Sequence, residues 1–436
     1  MSVRLFLRRN DQTSKRKTML IKTLLNRIEH FKSFVYGAVT FQDINGSEAL
    51  VVEIKARANS KPECPECGKR CKKRDTQPAR YFEYVPIWGA FKVFFQYAPR
   101  RVACPVHGVK VEYMPWVYGK EQMTTSYKVY LARWARRLSW KETADIFKTS
   151  WESVYRAVQH VVEYGLANRD LDGITEIGVD EIKVFVGHKY LTMVYQLNAG
   201  SRRLLWCGME RKTKTLLRFF HEFGKERSLK LKYVCSDMWA PYLKVIRKKA
   251  PNALNILDRF HIMKKFNEAI DQIRRGEVKL FKAENHENVL LNGRWLLLKR
   301  PENLNEKQTT RLGELLKLNI SSIKGYLLRE DFQRFWEYKY PAAAEKFLDN
   351  WITRTLQTNL EPMKKVANTL RNHKPLIMNW FKAKGLLSSG AVEGLNLKAK
   401  LTMRKAYGFK SPECLKIALY HTLGKLPEPM CLHRFS

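Results

Sequence analysis

Between residues 172 and 275 the chain changes from one hydrophobic pattern to another. Three β-rich stretches, "DGITEIGVDEIKVF", "KYLTMVYQLNA" and "RRLLWCGME", are separated by "VGH" and "GS", which is the pattern of an antiparallel meander. A helical stretch follows, and then a short buried strand leads into a helix twice, in "LKYVCSDMWAPYLKVI" and "NALNILDRFHIMKKFNEAIDQIRR". Few folds accommodate three meandering strands followed by helix, strand, helix, strand and helix.

This order of elements predicts a ribonuclease-H-like domain, in which a mixed sheet is flanked by helices. Asp180 lies inside the first strand among apolar residues, where an acid is expected only if it is exposed, paired or holding a cation. Asp237 ends a later strand, and open α/β sheets usually bind ligands beyond such strand ends. In this fold the first strand is central and the later strand adjoins it, so we expect the two carboxylates to approach one point.

A third carboxylate, Glu393, precedes a segment that otherwise carries only positive charge. Small or apolar residues recur there at helical spacing and predict a helix that packs on the sheet: Ala391, Leu395, Ala399 and Thr402. Lys400 follows Glu393 by seven residues, two helical turns, so an acid and a phosphate-binding base would line one groove. The alternative is that Glu393 only stabilises the helix N-terminus through the helix dipole.

Two short knuckles in the first quarter of the chain predict a zinc site. The stretches "CPECGKRC" and "CPVHG" each turn tightly between two ligand side chains, and the four predicted ligands are Cys64, Cys67, Cys104 and His107. Three thiolates and an imidazole suit one structural, tetrahedral Zn²⁺. A predicted hairpin between the knuckles, broken at Trp88-Gly89, would bring them together. Cys71 is the substitute ligand if His107 is not used. The alternative is reduced surface thiols and a loop histidine.

Residues 138–164, "LSWKETADIFKTSWESVYRAVQHVVEY", predict a helix-turn-helix. Ala144, Ile146 and Phe147 form the apolar face of a short first helix, and Ser150 caps a second one. In such a unit the first turn of the second helix meets base edges in the major groove. The predicted exposed readers are Trp151, Glu152, Ser153 and Arg156. A plain helical hairpin would give a similar pattern.

The charge of the chain indicates a polyanionic partner. Lys and Arg number 80 against 42 acidic residues, a formal net charge of +38. Nucleic acid is favoured over a membrane because no apolar run approaches the roughly 18 residues that span a bilayer. The basic N-terminus has too short an apolar stretch for a signal peptide, so we expect a cytoplasmic protein.

Five blocks of sequence follow the zinc knuckles and the helix-turn-helix in a fixed order. They are "IGVDE", "CSDMWAPY", "ILDRFHIMKKFN", "NGRWLLLKRPENL" and "VEGLNLKAKLTMRKAYGF". Together they resemble bacterial insertion-sequence transposases of the ISL-three type, from about residue 50 to residue 425. The resemblance implies a DDE catalytic domain whose triad is Asp180, Asp237 and Glu393. His107 is a departure, because many relatives are expected to have cysteine there.

The resemblance also implies a chemistry. Three carboxylates can hold two Mg²⁺ or Mn²⁺ ions, one activating water and later a DNA 3′-hydroxyl, the other stabilising the leaving oxygen. Lys400 and Arg404 would steady phosphates beside the ions. The implied partners are double-stranded DNA, as terminal inverted repeats and as target, and a second copy of the chain, since the DNA complex is expected to be at least a dimer.

The predicted architecture is a multidomain α+β protein. Its first three segments are a basic N-terminal segment (1–45), a zinc-binding domain (46–115) and the helix-turn-helix DNA-binding domain (116–168). The ribonuclease-H-like catalytic domain comes in two parts, 169–275 and 386–436, the second bearing the Glu393 helix. The resemblance implies that an all-α insertion, 276–385, separates them.

Four further residues are weaker site candidates. Asp258, Arg259 and His261 follow a strand beside the expected place of Asp237, and Asp258 is the reserve for the second acid. His261 could contact phosphate or be a satisfied core histidine. Trp295 could stack on a flipped or frayed base at a transposon end, although packing in a helical core is the favoured expectation.

Two other functions remain open from the sequence. A transcriptional regulator would use the zinc knuckles and the helix-turn-helix on an operator and would not need Asp180. A structure-specific nuclease of the same fold would cut DNA and never join ends.

Overall fold

The computed structural model of the chain describes residues 20–87, 91–184, 190–284, 289–291, 293–318, 320–383, 390–406 and 408–430. It divides into two compact units, Met1–Arg169 with Leu426–Ser436, and Asp170–Lys425. Both units combine helices with β-sheet, so the predicted mixed α+β architecture is confirmed.

The first unit begins with β-sheet and ends in helices. Its elements are α1 (Ile21–Ile28), β1 (Phe34–Ile44), β2 (Ser47–Ala56), β3 (Lys72–Thr76), β4 (Arg80–Ile87), β5 (Phe91–Tyr97), β6 (Arg100–Cys104), β7 (Gly108–Val111), α2 (Thr125–Arg137), α3 (Trp140–Ile146) and α4 (Trp151–Ala167). The strands form a four-stranded sheet in the order β1-β2-β5-β4 and a three-stranded sheet in the order β3-β6-β7.

Strands β1 and β2 form an antiparallel hairpin that turns at Asn45-Gly46. Both turn residues have positive φ, 55° and 77°, as a type I′ turn requires. Phe34 and Tyr36 on β1 share one core with Leu50 and Val52 on β2. The predicted boundary between residues 45 and 46 therefore cuts through a hairpin, and residues 34–44 belong to a folded sheet rather than to a separate basic segment.

The hairpin predicted between the two knuckles is present, because β4 and β5 pair antiparallel. Its predicted break at Trp88-Gly89 lies outside the described residues. Strand β6 then pairs antiparallel with both β3 and β7. The chain thus leaves the first knuckle through β3 and reaches the second at the end of β6.

Helices α3 and α4 match the predicted helix-turn-helix. Ser139 caps α3 in a reciprocal capping box, and the Ser150 side chain caps α4 by accepting the N–H of Ser153. The predicted inner face of α4 is buried: Val154, Ala157, Val158 and Val161. We predict Ile146 on the apolar face of the first helix, but it is the last residue of α3 and is 56% exposed. Of the three residues predicted for that face, Ala144 is fully buried and Phe147 is half-buried.

The second unit contains the remaining α-helices and β-strands. They are β8 (Glu176–Lys183), β9 (Tyr190–Gln196), β10 (Arg203–Met209), α5 (Thr213–Phe223), α6 (Lys225–Leu229), β11 (Tyr233–Ser236), α7 (Ala240–Lys249), β12 (Leu254–Leu257), α8 (Arg259–Ala283), α9 (Arg294–Leu298), α10 (Glu306–Leu316), α11 (Ser321–Gln333), α12 (Pro341–Leu356), α13 (Glu361–Ile377), α14 (Asn379–Lys382), α15 (Gly390–Lys405) and α16 (Pro412–Leu423).

One five-stranded sheet organises this unit, in the order β10-β9-β8-β11-β12. The first three strands form the predicted antiparallel meander, and β11 runs parallel to both β8 and β12. Ile177 and Val179 on the central strand β8 pack into one core with Phe219 of α5 and Tyr242 of α7. Gly178 faces the other way, against Val392 of α15. Helices therefore cover both faces of β8.

Helices α8 to α14 follow the sheet in sequence. Phe266 of α8 packs with Phe332 of α11 and Trp351 of α12 in one core. Because α8 runs from residue 259 to residue 283 without a break, the insertion boundary predicted at residue 276 falls inside a helix. None of the helices in the described part of the chain has the length and apolar character that crossing a bilayer requires.

Candidate active site and metal cluster

The four predicted zinc ligands lie together where the segment between β2 and β3 meets the turn between β6 and β7. The ligand atoms of Cys64, Cys67, Cys104 and His107 all lie within 4.8 Å of one another. Cys67 Sγ is 3.7 Å from Cys104 Sγ, and His107 Nδ1 is 3.7 Å from the Sγ atoms of both Cys64 and Cys104. A tetrahedral ion with zinc bond lengths separates its ligand atoms by roughly 3.4–3.8 Å. These residues therefore fit zinc and could bind it.

The backbone of the second knuckle favours a thiolate. Hydrogen bonds from the N–H groups of His107 and Val106 lower the pKa of Cys104 to about 6. Contact with Cys104 in turn raises the pKa of His107. Cys71, the substitute ligand, is buried beside these residues but is not among the four whose ligand atoms gather. The cluster of four thus includes the ligand atom of His107 and not that of Cys71.

The predicted base-reading residues all lie in the first two turns of α4, but they differ in exposure. Arg156 is exposed, whereas Trp151, Glu152 and Ser153 are half-buried. The hydroxyl of Ser153 is 3.0 Å from that of Ser150. Arg156 is therefore the member of the set whose side chain is most available to a base edge.

Asp180 lies on the face of β8 that meets α15. Asn396 of α15 donates a hydrogen bond to Asp180 Oδ2, and the backbone N–H of Glu181 donates to Oδ1 at 2.8 Å. His261 Nε2 lies 3.5 Å from Oδ1. Burial disfavours the imidazolium of His261, but its contact with Asp180 and the nearby charges of Asp258 and Asp237 outweigh this and raise its pKa. The carboxylate is thus surrounded by donors from three elements.

Asp237 follows β11, the parallel neighbour of β8, and is engaged by Arg211. Arg211 Nη2 lies 2.6 Å from Asp237 Oδ2, and the guanidinium stacks 4.5 Å above the ring of Trp239. Its Nε is also 3.2 Å from Glu181 Oε1, although not in hydrogen-bond geometry. Burial, with the charge of Asp237, raises the pKa of Glu181 to about 8. Arg211 therefore joins two acids that the sequence places 56 residues apart.

Glu393 lies in the first turn of α15 and is exposed. Lys400 and Arg404 are exposed farther along the same helix, as predicted. Burial raises the pKa of the Cys235 thiol on β11, and the charges of Asp258, Asp180 and Glu393 raise it further. Glu393 and Asp180 thus both contribute to the raised pKa of this thiol.

The predicted triad is less tightly gathered than the cysteine–histidine cluster. Within the described residues, only that cluster brings three or more Cys, His, Asp or Glu ligand atoms within 4.8 Å of one another. Asp180 is held by Asn396, whereas Asp237 is held by Arg211. The three acids nevertheless occupy the central strand, the end of its parallel neighbour and a helix packed on the central strand.

Of the weaker candidates, Asp258 and His261 lie at the start of α8. Asp258 caps that helix by accepting a hydrogen bond from the N–H of Phe260 at 2.7 Å, so it stabilises the start of α8. His261 lies between two acids, 3.5 Å from Asp180 Oδ1 and 3.8 Å from Asp258 Oδ2. His261 is therefore part of the acidic site rather than of an apolar core.

The other two weaker candidates both take part in cation–π contacts. The guanidinium of Arg259 lies 5.1 Å from the ring centre of Trp336, and that of Arg294 lies 5.2 Å from Trp295. Trp295 is 57% exposed, so the favoured expectation that it packs in a helical core is wrong. Its helix α9 has only five residues, and Leu296 and Leu297 take the buried positions.

The structure adds three residues that the sequence did not single out: Glu181, Arg211 and Asn396. Asn396 carried a usable signal, because it is a polar residue next to Leu395 within the apolar stripe of α15. Glu181 directly follows Asp180. Arg211 lies in a charged stretch after β10, and its local sequence gives no reason to expect contact with Asp237.

A strong positive net charge and acids on and beside a mixed sheet are features of DNA-processing enzymes. Residues 177–419 match the family model described as "Transposase", that of the ISL3-type DDE transposases. Because the match covers more than half of the chain, the protein belongs to this family. It is a DDE transposase of an insertion sequence.

Similar proteins agree with this assignment. The chain is 26% identical over 353 residues to the transposase for insertion sequence element IS1001 of Bordetella parapertussis, covering 80% of this chain and 86% of that protein. It is also 26% identical over 411 residues to the transposase for insertion sequence element IS1557 of Mycobacterium tuberculosis, covering 88% and 91%. The resemblance of the five sequence blocks to ISL3-type transposases is therefore confirmed.

Proposed function

We propose that this transposase binds the ends of its insertion sequence and carries out strand cleavage and strand transfer in a ribonuclease-H-like domain. The observation that carries the proposal is the placement of the three acids. Asp180 is on the central strand, Asp237 ends the adjacent parallel strand, and Glu393 is on a helix that packs against the central strand. The sheet order β10-β9-β8-β11-β12 makes β8 the central strand and β11 its neighbour.

Asp180, Asp237 and Glu393 are proposed to hold two Mg²⁺ or Mn²⁺ ions. Their donors are carboxylate oxygens, the hard ligands that these ions prefer. When bound, a pair of such ions supplies activation of an oxygen nucleophile and stabilisation of the leaving oxygen during in-line attack on phosphorus. Arg211 keeps the Asp237 carboxylate ordered beforehand, and coordination would replace that ion pair.

DNA contacts are proposed on both units. Arg156, with Trp151 and Ser153 beside it, would read base edges in the terminal repeats. Lys400 and Arg404 would bind backbone phosphates near Glu393. One structural zinc ion at the cysteine–histidine cluster would hold the two knuckles together. We also propose that the chain acts as at least a dimer on paired ends.

The division into domains is likewise a proposal. The zinc-binding domain should include β1, since β1 and β2 form one hairpin. The all-α insertion should begin after α8 or include the whole of it, because that helix is continuous through residue 276. The catalytic domain would then resume at α15.

The proposal is tested by incubating the protein and Mg²⁺ with a labelled element end and a target plasmid. Glu393→Gln keeps the side-chain shape and removes the charge, so we expect cleavage and transfer to fall at least about a hundredfold. Glu413→Gln is the matched control, because Glu413 is exposed on α16 and pairs only loosely with Lys416 at 3.9 Å. Equal activity of Glu393→Gln and the native chain would refute the assignment.

The same assay separates the alternative functions. A structure-specific nuclease would release the labelled end and give no plasmid-joined product. A transcriptional regulator would bind the end, and Asp180→Asn would change nothing. A joined product that requires Asp180 is expected only from a transposase.

A further inference from the structure

Three side chains form a buried hydrogen-bonded chain between the sheet and α15. The Tyr195 hydroxyl on β9 donates to Asn396 Oδ1 at 2.7 Å, and Asn396 Nδ2 donates to Asp180 Oδ2. Tyr195 is fully buried and Asn396 is 7% exposed. Removing one member of such a chain leaves buried polar partners unsatisfied, which costs more than the bond itself contributes.

Only one orientation of the Asn396 amide satisfies both neighbours. An ionised carboxylate accepts hydrogen bonds and cannot donate, so the amide nitrogen must face Asp180. The amide oxygen then faces Tyr195, whose hydroxyl has a proton to donate. The hydrogen bonds therefore fix the orientation of the Asn396 side chain relative to Tyr195 on β9 and Asp180 on β8.

An apolar contact between α15 and β8 accompanies this hydrogen-bonded chain. Val392 packs on Gly178, so closely that a Cβ at residue 178 would meet Val392 Cγ2 at 2.6 Å. Leu395 and Ala399 are also buried on α15. Apolar contacts set how near the helix lies, but they have little directionality and define its rotation weakly.

Rotation of α15 decides where Glu393 points. Glu393 and Asn396 are three residues apart, so they are neighbours on the helix surface, about 60° apart around its axis. Glu393 is exposed whereas Asn396 is buried, which puts Glu393 at the edge of the face that Asn396 anchors. A rotation that broke the contact with Asp180 would displace Glu393 relative to the sheet.

We propose that Asn396 and Tyr195 are positioning residues of the active site. They fix the rotation of α15 on β8 and so hold Glu393 where it shares divalent ions with Asp180. The inference rests on the proposed metal-binding function of Asp180 and Glu393. Asn396 acts through these two acids and contacts neither the ions nor DNA.

The test compares Mn²⁺ binding and the mobility of α15 among variants of the protein without DNA. Mn²⁺ affinity is titrated by electron paramagnetic resonance, and hydrogen exchange of residues 390–405 is followed in metal-free protein. Asn396→Ala should weaken Mn²⁺ binding roughly tenfold to a hundredfold, the usual effect of losing a group that orients a ligand, and should speed exchange in α15. Asn396→Asp should be at least as damaging, because it repels Asp180 and cannot donate to it.

The conservative variant and the control complete the design. Tyr195→Phe keeps the ring and removes the donor, so it should weaken Mn²⁺ binding by a smaller factor, and it should add little once Asn396 is alanine. Thr402→Val removes a side-chain hydrogen bond from the same helix to Thr422, and Mn²⁺ affinity should stay native. Should Asn396→Ala fail to fold, the Tyr195→Phe titration decides alone.

Two results would overturn the proposal. One is native Mn²⁺ affinity in Asn396→Ala or, if that variant does not fold, in Tyr195→Phe. The other is recovery of native affinity in Asn396→Asp, which would show that only side-chain volume matters. Asp180→Asn separates this from the proposed function. If it loses Mn²⁺ binding and cleavage while Asn396→Ala behaves as native, only the positioning inference fails.

Discussion

The side chain of Glu181 is 7% exposed and lies beside two other acids. Burial, the charge of Asp237 and the charge of Asp180 raise its pKa to about 8, and Arg211 only partly opposes them. An unfolded chain would release this proton near the ordinary glutamate value of 4.5. The folded protein therefore holds a proton across a pH range in which the unfolded chain does not.

A carboxyl with a raised pKa favours the folded state at low pH, and this contribution is lost as the pH rises from about 4.5 to about 8. The glutamine of Glu181→Gln does not ionise, so this variant should not show that pH-dependent loss of stability. In metal-free buffer we predict that, between about pH 5 and pH 9, the native chain loses roughly 2–4 kcal/mol of unfolding free energy relative to Glu181→Gln. Parallel urea-denaturation profiles for the two proteins would contradict this.

At the residue scale, the acids of the site can be predicted from the sequence more readily than the side chains that contact them. Asp180 was noticeable because a carboxylate interrupts an apolar strand. Asn396 contacts it from 216 positions farther along the chain, so the pair follows from the docking of α15 and not from any local pattern. Arg211 reaches Asp237 for a similar reason. The catalytic roles of the acids remain predictions.

At the element scale, the docking of α15 on β8 depends on a residue without a side chain. A Cβ at Gly178 would lie 2.6 Å from Val392 Cγ2 and 3.2 Å from Leu197 Cδ1, so the helix would have to move away. We predict that Gly178→Ala lowers the unfolding free energy by roughly 1–3 kcal/mol and reduces cleavage, because Glu393 moves with the helix. Chemical denaturation and the end-cleavage assay measure the two effects.

Gly276→Ala is the matched control for this substitution. Gly276 lies inside α8 and is exposed, and among the described residues a Cβ built there meets no atom within 4 Å beyond its chain neighbours and the nearby backbone of its own helix. Alanine favours a helix over glycine by up to about 1 kcal/mol, so this variant should gain stability and keep native cleavage. Equal losses in both variants would mean that the Val392 contact has no special importance.

The cysteine–histidine cluster supports a second prediction for an element. Purified protein should contain one zinc per chain by elemental analysis, and Cys67→Ser or Cys104→Ser should lose it. Cys71→Ser should keep it, since Cys71 lies outside the group of four. Loss of the ligands should also destabilise the sheet β3-β6-β7, as in other zinc-dependent folds. Zinc lost from Cys71→Ser and retained in Cys104→Ser would show that the ligand set is wrong.

Elements with local signals were predicted well from the sequence. The knuckles, the meander and the Ser150 cap of α4 each depend on residues within a short window. The boundaries predicted at residues 45 and 276 fall inside a hairpin and inside a helix, because β1 pairs with β2 and α8 contributes to a core with later helices. Trp295 was expected to be buried, but in a five-residue helix its neighbours take the buried positions.

At the scale of the whole molecule, the net charge of +38 sets how the protein meets DNA. Binding that neutralises phosphates releases counterions, so affinity for random duplex should fall steeply with salt. If Lys400 and Arg404 each contact one phosphate, Lys400→Ala with Arg404→Ala should lower the slope of log K against log salt by about 1.8 in magnitude. Fluorescence anisotropy over a salt series measures it.

A control with the same change in charge distinguishes contact from bulk charge. Lys364 and Lys374 on α13 are paired with acids, at 2.8 Å to Glu361 and 2.8 Å to Asp349. Replacing both by alanine should leave the slope nearly native. If both double variants shift it equally, the effect is the net charge of the protein and not a phosphate site on α15.

We infer that Asp180, Asp237 and Glu393 share divalent ions, although their carboxylate oxygens do not all lie within 4.8 Å of one another in the structure. The most direct measurement is anomalous diffraction from the protein bound to Mn²⁺ and an element end. We predict two ions whose ligands include all three carboxylates at roughly 2.1 Å, with the Arg211 contact to Asp237 broken. Ions bound elsewhere, or by only one of the three acids, would contradict it.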